Sequence, residues 1–305
     1  MKVALVYDDI FLQHRMPAFH PESVDRLKAI LQAIGNRKDL EKSIEWIKPR
    51  KATREEVTLV HDTSYFDYIM NSKPGYLDSD TYLSEGTKEA ALYAAGAVVT
   101  AVESISSERR RFFCLVRPPG HHAERSEAMG FCIFNNIAIG ASYAKKKGYS
   151  RIFIVDFDVH HGNGTQHIFE ADPDVFYFST HQSPLYPGTG KSWEQGIGAG
   201  EGTILNVPLK PGAGDEEFIS VYRNDFVNAF NKFKPEILFV SAGYDLRDED
   251  PLASLNVTAS GIRAIVKTLI NTANKLPIIF TLEGGYNLTA LSESVVITIE
   301  EMIGT

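Results

Sequence analysis

The chain has 305 residues and a formal net charge of −8, with 44% hydrophobic and 23% charged residues. That length suits one large α/β domain or two small ones, and the composition is that of an ordinary globular protein. The acidic balance argues against a nucleic-acid partner held by charge and is compatible with drawing in a cationic substrate.

In chain order, residues 3–7 read as a first strand ending in Asp8 and Asp9. A polar loop with His14 and His20 follows. A helix then opens at Pro21-Glu22 and runs to about Ile34, with Val24, Leu27, Ile30, Leu31 and Ile34 at helical spacing. Residues 41–54 are expected to form a short helix and loop, 57–60 a brief strand ending at His61, and 64–70 a helix. After a Pro/Gly loop over 73–80, residues 84–104 form a long Ala-rich helix whose small side chains suit close packing on a sheet. The strand 112–116 runs into a loop over 117–136 (RPPGHHAERSEAMGFCIFNN), too rich in chemistry for a linker, and then a helix over 137–147. A strand opening at Arg151 follows, then a helix near 166–170, a strand over 175–180 ending at His181, and a glycine-rich loop over 187–202. Beyond it come strand 203–209, helix 216–233, strand 237–244 ending at Asp245, and helix 258–273. Strand 278–282 ends in Glu283-Gly284-Gly285-Tyr286, and a helix over 288–303 closes the chain.

Strands alternate with helices, about eight strands in all, which is the pattern of a parallel sheet covered on both faces. No repeat, low-complexity segment or boundary divides it, so residues 1–305 are read as one domain. The basic runs 109–111 and 145–147 sit between helix and strand and read as solvated turns. Two cysteines, Cys114 and Cys132, are too few for a disulfide scaffold and too far apart for a Cys-x-x-Cys metal site. A reducing, cytoplasmic location is expected. No leader peptide is expected, since a strand follows Met1 directly, and no run of about 18 apolar residues is present to span a membrane.

The chemistry concentrates in residues 151–166, RIFIVDFDVHHGNGTQ. Asp156, Asp158 and His160 alternate, so on an extended backbone their side chains leave one face. Two carboxylates and an imidazole at the end of a buried strand are costly unless a cation compensates them. Asp-x-Asp-x-His supplies ligands that zinc, iron(II) or manganese accept. Asp245 is the best third ligand, taken with Asp158 and His160, and three protein ligands leave a coordination position open. His121-His122 follows Arg117-Pro118-Pro119-Gly120, a rigid turn that aims the imidazoles at acid–base work, and Asp156 can orient one of them. Tyr286, behind two glycines, can stabilise an oxyanion. Phe131 and Tyr186 can wall an apolar channel. Packing alone remains the alternative for these three aromatic residues.

Six motifs carry a resemblance: RPPGHHA (117–123), GFCIFNN (130–136), DFDVHHGNGTQ (156–166), YPGTG (186–190), SAGYD (241–245) and LEGGYN (282–287). In this order they resemble the zinc-dependent histone deacetylase family, including its bacterial histone-deacetylase-like and acetylpolyamine amidohydrolases. The likeness runs from about His20 to Tyr286, and Asn163 and LEGGY look like the class II branch. The resemblance implies an arginase-like open α/β/α fold with a parallel eight-stranded sheet. It implies Zn²⁺ on Asp158, His160 and Asp245, a set that Fe²⁺ also accepts. It implies His122 as general base and then acid, oriented by Asn163, with His121 paired to Asp156. Tyr286 would polarise the acetyl carbonyl, with Gly130, Phe131 and Tyr186 along the substrate channel. Asp80 would sit at the rim and bind the substrate backbone. Arg26 would lie near an acetate exit channel, although HPESVDRL departs from the commoner HPERPERL there. Potassium would bind Asp156, Asp158, His160, Ser179 and Thr180, with a second site at carbonyls near Phe169, Asp172 and Val175.

The substrate class implied is an acetylated peptide, protein or polyamine. Polyamine-selective relatives can carry a glutamate where this chain has Leu252, and leucine cannot pair with a secondary ammonium. Acyl-lysine is therefore favoured over acetylpolyamine. Two other classes remain in view: a two-manganese ureohydrolase-type enzyme, which needs more strand-end aspartates, and a non-catalytic acetyl-ligand sensor, which would be expected to have lost Tyr286 or a histidine.

Overall fold

Strands form where β-branched and aromatic residues run together. Ile152–Asp156, Ile237–Ala242 and Ile278–Leu282 are buried along their whole length. Continuous burial is what a parallel strand covered by helices on both faces requires. The structure, a computed structural model, describes residues 2–304. In chain order its strands are β1 (Val3–Val6), β2 (Ile44–Ile47), a small hairpin of β3 (Gly75–Tyr76) and β4 (Tyr82–Leu83), then β5 (Arg111–Cys114) and β6 (Ile152–Asp156). β7 (Val175–Gln182), β8 (Ile204–Leu209), β9 (Ile237–Ala242) and β10 (Ile278–Leu282) follow. All but the hairpin form one eight-stranded parallel sheet, in the order β2-β1-β5-β10-β9-β6-β7-β8.

The helices are α1 (Val24–Asn36), α2 (Arg54–Val57), α3 (Thr63–Asn71), α4 (Thr87–Glu103), α5 (Asn136–Lys146), α6 (Asn163–Phe169), α7 (Asp215–Val221), α8 (Val227–Phe233), α9 (Ala259–Ala273) and α10 (Leu288–Ile303). The Ala-rich α4 packs with α5 on β5, β9 and β10, while α10 packs on β1 with α1 and α9 beside it. The expected α/β/α layering is present. The residues between α7 and α8, Tyr222–Phe226, form a wider π turn within what the pattern reads as one helix.

The count of eight strands holds, but one member differs. Residues 57–60 are not a strand. They finish and follow α2, which Thr53 and Glu56 open with reciprocal side-chain-to-backbone bonds. The eighth strand is β2 (IEWI), placed in the segment read as helix and loop. It is an edge strand with one neighbour, and Trp46 on it is exposed. Half-solvated and carrying Glu45, it lacks the continuous apolar run that marks the central strands. Arg111 also departs from expectation: it lies buried within β5 and donates to the Met302 carbonyl.

Candidate active site

The register of the sheet assembles the site. Asp156 at the end of β6 lies opposite Ser241 of β9 and Ser179 of β7, and Leu282 of β10 lies opposite Ala242 of β9. Three neighbouring parallel strands therefore end at one level and deliver their loops to one place, as ligand sites in open α/β sheets require. The extended backbone stops at Asp156, so Asp158 and His160 stand on a loop and not on a strand face. The alternation argument fails at that point. Asp156 turns beneath the site instead, accepting from Tyr177 Oη at 3.1 Å and lying 3.0 Å from His121 Nδ1.

Asp158, His160 and Asp245 converge, with one ligand atom from each all within 4.8 Å of one another. His160 Nδ1 lies 3.0 Å from Asp158 Oδ1 and 3.2 Å from Asp245 Oδ2. The Gly284 amide donates to Asp158 Oδ2 at 2.8 Å and the Val159 amide to Asp245 Oδ1 at 3.0 Å, which leaves Asp245 Oδ2 buried with no well-formed hydrogen bond, only the His160 Nδ1 contact at 3.2 Å. A buried carboxylate oxygen so poorly satisfied is costly and is the atom a cation would satisfy. Burial, reinforced by the Asp158 charge, pushes Asp245 up to about 7, while Asp158, despite its burial, is held low by His121 and His160. Close approach here needs bare backbone: a Cβ on Gly284 would fall 2.1 Å from Asp245 Oδ2, and one on Gly243 2.0 Å from Asp158 Oδ2.

Two adjacent imidazoles stand beside the triad. Burial opposes charge on His121, but Asp156 and Asp158 outweigh it and hold that imidazole up at about 10. His122 has Nδ1 2.7 Å from the neutral oxygen Asn163 Oδ1. It is pushed well below the ordinary histidine value, by burial and then by the charges of His121 and His160. One imidazole is thus held charged and its neighbour neutral. The Tyr286 phenol is kept protonated by burial.

These groups open on a cavity of about 240 Å³ lined by Asp80, His121, His122, Gly130, Phe131, His160, Tyr186, Leu252 and Tyr286, with Pro119, Leu185 and Gly284. The His122 and Tyr186 rings meet edge to face at 5.1 Å, and the Phe131 and Tyr286 rings at 5.9 Å. The histone deacetylase domain pattern matches residues 20–302 of the chain. The chain belongs to the histone deacetylase family. It is 40% identical to "Histone deacetylase 14, chloroplastic" of Arabidopsis thaliana, over 93% of this chain and 73% of that protein. It is 39% identical to a "Probable deacetylase" of Archaeoglobus fulgidus, over 94% of this chain and 82% of that one. The solved structure of the HDA15 HD domain superposes with a TM-score of 0.94 at 36% identity, covering 99% of this chain and 88% of that one. The protein is thus a deacetylase, a hydrolase acting on amide bonds, and its substrate is an acetylated molecule of some kind.

Most of the candidate residues in this deacetylase surround the one cavity. Arg26 does not line it. It is buried behind Tyr286, with its guanidinium 5.1 Å from the phenol ring and Nε donating to the Gly285 carbonyl at 2.7 Å. Ser179 and Thr180 lie deeper in β7, their hydroxyls bonded to His181 Nδ1 and Tyr222 Oη. Three carboxylates that sequence reasoning left without a role also brace the site. Glu283, pushed up to about 7 by burial, accepts from the Gly120 and His121 amides and from Ser241 Oγ. Asp250 accepts from the Tyr286 amide at 2.6 Å. Glu124 accepts from Asn163 Nδ2 at 2.5 Å. Glu283 lies within a quoted motif, Glu124 directly after one and Asp250 five residues beyond one, but only the fold shows what each touches.

Proposed function

We propose that this deacetylase removes an acetyl or other short acyl group from an acyl-lysine of a protein or peptide. The observation that carries the reading is the cavity itself: narrow, walled by Phe131 and Tyr186, with Leu252 and no glutamate among its lining residues. A linear alkyl chain ending in an acetamide fits such walls, whereas Leu252 offers nothing to the internal ammonium of a polyamine. Asp80, also on the lining, would accept amides of the substrate backbone, and Gly130 would lie along the alkyl chain.

Asp158, His160 and Asp245 would hold Zn²⁺, a fit that the buried, poorly satisfied oxygen of Asp245 supports, and Fe²⁺ would accept the same set. When bound, the metal supplies Lewis acidity toward the acyl carbonyl and toward water. His122, held neutral, takes a proton from the attacking water at Nε2 and returns it to the leaving amine. The charged His121 supports negative charge developing nearby. Tyr286 donates its hydroxyl to the oxyanion, and its backbone is anchored on Asp250 for that purpose. Acetate and a free amine result. Potassium would lie behind the triad on Asp156 with oxygens of Asp158, His160, Ser179 and Thr180. A second potassium would use carbonyls near Phe169, Asp172 and Val175; the first two also accept backbone amides, which leaves each a second lone pair. The continuous buried apolar cluster from Val3 to Met302 supports reading the chain as one domain, and two buried free thiols are compatible with a reducing setting, the cytoplasm among them.

The test is acetate release from an acetyl-lysine peptide and from N-acetylputrescine side by side, after chelation and with zinc restored. Zinc-dependent turnover of the peptide alone is expected. Preference for the polyamine would overturn the acyl-lysine assignment, and no turnover of either would overturn acetyl as the group removed and turn the test to other short acyl groups.

A further inference from the structure

An amide has two ends, and the one beside His122 must be turned the right way. With oxygen toward the ring, Nδ1 carries the proton and Nε2 keeps its lone pair for the cavity that His122 lines. With the NH₂ toward the ring, Nδ1 would have to accept, Nε2 would carry the proton, and the base would be lost. Asn163 alone does not choose between these.

Glu124 chooses. Its Oε1 lies 2.5 Å from Asn163 Nδ2, and an ionised carboxylate accepts hydrogen bonds but cannot donate them. The amide nitrogen must face Glu124, so the amide oxygen must face His122. The same carboxylate oxygen lies 2.8 Å from His167 Nδ1, a second donor, on the side away from His122. The contact is braced on both sides. The Glu124 amide donates to the Glu127 carbonyl at 2.9 Å, and the Glu124 carbonyl lies 2.8 Å from His61 Nδ1. Asn163 begins α6, and the helix can press against this loop because residue 164 is glycine: a Cβ there would fall 2.2 Å from the Ala123 carbonyl oxygen.

We propose that Glu124 is a positioning residue that fixes the His122 tautomer by orienting the Asn163 amide, an inference that rests on reading His122 as the general base. A carboxylate behind the amide also polarises its oxygen, so the chain Glu124–Asn163–His122 carries part of a negative charge toward the ring without a carboxylate touching it. His167, half-exposed, closes the outer end of that chain.

The experiment uses zinc-loaded protein with ¹⁵N-labelled histidine, reading the His122 tautomer by long-range NMR without substrate; His122→Gln identifies the signal. The wild type is expected to show the Nδ1–H form. Glu124→Gln, which can present either end of its own amide, is expected to give a tautomer mixture. Its kcat should fall about tenfold, the scale of one hydrogen bond, with KM and zinc content unchanged. Adding Asn163→Asp to Glu124→Gln restores an acceptor that cannot flip, and the introduced glutamine can donate to it, so the Nδ1–H form and most of kcat should return. A pure Nδ1–H signal in Glu124→Gln would overturn the proposal, even if activity fell, because the loss would then be structural. The tautomer is read without turnover, so an enzyme inactive on every acetamide tried would refute the deacylation chemistry while the mixture in Glu124→Gln still supported Glu124.

Discussion

Two loops of this protein carry the dipeptide His-His directly after a sheet strand's loop begins to turn, and they use it differently. After β5, His121 and His122 both face the cavity, one beside the carboxylate of Asp156 and the other beside the amide of Asn163. After β6, only His160 joins the site. His161 turns away, with Nδ1 2.8 Å from Thr189 Oγ1, Nε2 2.9 Å from Gln166 Oε1 and its ring 4.8 Å from that of His181. Burial pushes His161 well below the ordinary value, so it stays neutral and holds the glycine-rich loop that follows Tyr186. The dipeptide does not set the role. The partner of each ring nitrogen does, and the partners come from β6, α6 and the loop after β7.

The largest effect should separate His160 from His161. His160→Ala removes one of the three converging residues proposed to hold zinc, so bound zinc and turnover should both be lost. His161→Ala breaks two hydrogen bonds in a buried but metal-free place. A stability loss of about 1–3 kcal/mol is expected there, with zinc content intact. Metal analysis and thermal unfolding of the two variants check this. Equal loss of zinc from both would show that the second loop is one unit and the contrast unreal.

Much of the contrast was legible in the sequence, and the reason is physical. Aspartates and histidines at the ends of buried strands have few bland explanations, so Asp158, His160 and Asp245 stood out, as did the rigid Arg117-Pro118-Pro119-Gly120 turn before His121. What failed was local geometry. The strand ends at Asp156, so Asp158 and His160 stand on a loop, where strict alternation no longer sets the direction of a side chain. Glu124, Asp250 and Glu283 went unread because a glutamate or aspartate in a loop is ordinarily solvated. Only the packing of α6 on the β5 loop, and of the β10 loop on the β5 and β9 loops, brings them against the site. The edge strand β2 was missed for the opposite reason: half its surface is wet, so its pattern resembles any loop.

A middle-sized effect tests the charged half of the first pair. Asp156→Asn keeps the shape next to His121 but removes the charge that, against burial, holds this imidazole near 10. The His121 value should fall, and the proton should leave within the working range. A hydrogen bond to a charged group contributes roughly 1.5–3 kcal/mol, so kcat should drop about 10- to 100-fold if that charge is used in the transition state. Histidine titration by NMR, paired with kcat, checks it. An unmoved His121 signal would mean that Asp158, not Asp156, sets its charge.

The smallest effect lies in a histidine outside both pairs that braces the first loop. His61 is buried, with Nδ1 2.8 Å from the Glu124 carbonyl and Nε2 accepting from the Asn135 amide at 2.8 Å. Burial lowers it to about 4. The unfolded chain, with an ordinary histidine near 6.5, binds this proton more readily than the folded one, so stability rises with pH across the gap. The contribution is full above about 6.5 and is lost progressively as the pH falls toward the folded value near 4. Between pH 7 and pH 5.5 that amounts to about 1 kcal/mol for this one group. Other buried neutral histidines titrate in the same direction, so the quantity to measure is a difference. Urea unfolding of wild type and His61→Gln at both pH values should show a slope about 1 kcal/mol shallower in the variant, since glutamine can donate and accept as the ring does but does not titrate. Parallel slopes would mean that His61 takes up its proton in the fold as readily as in the unfolded chain, and that the loop holding His121 and His122 is more open to water than its packing against Asn135 and Glu124 requires.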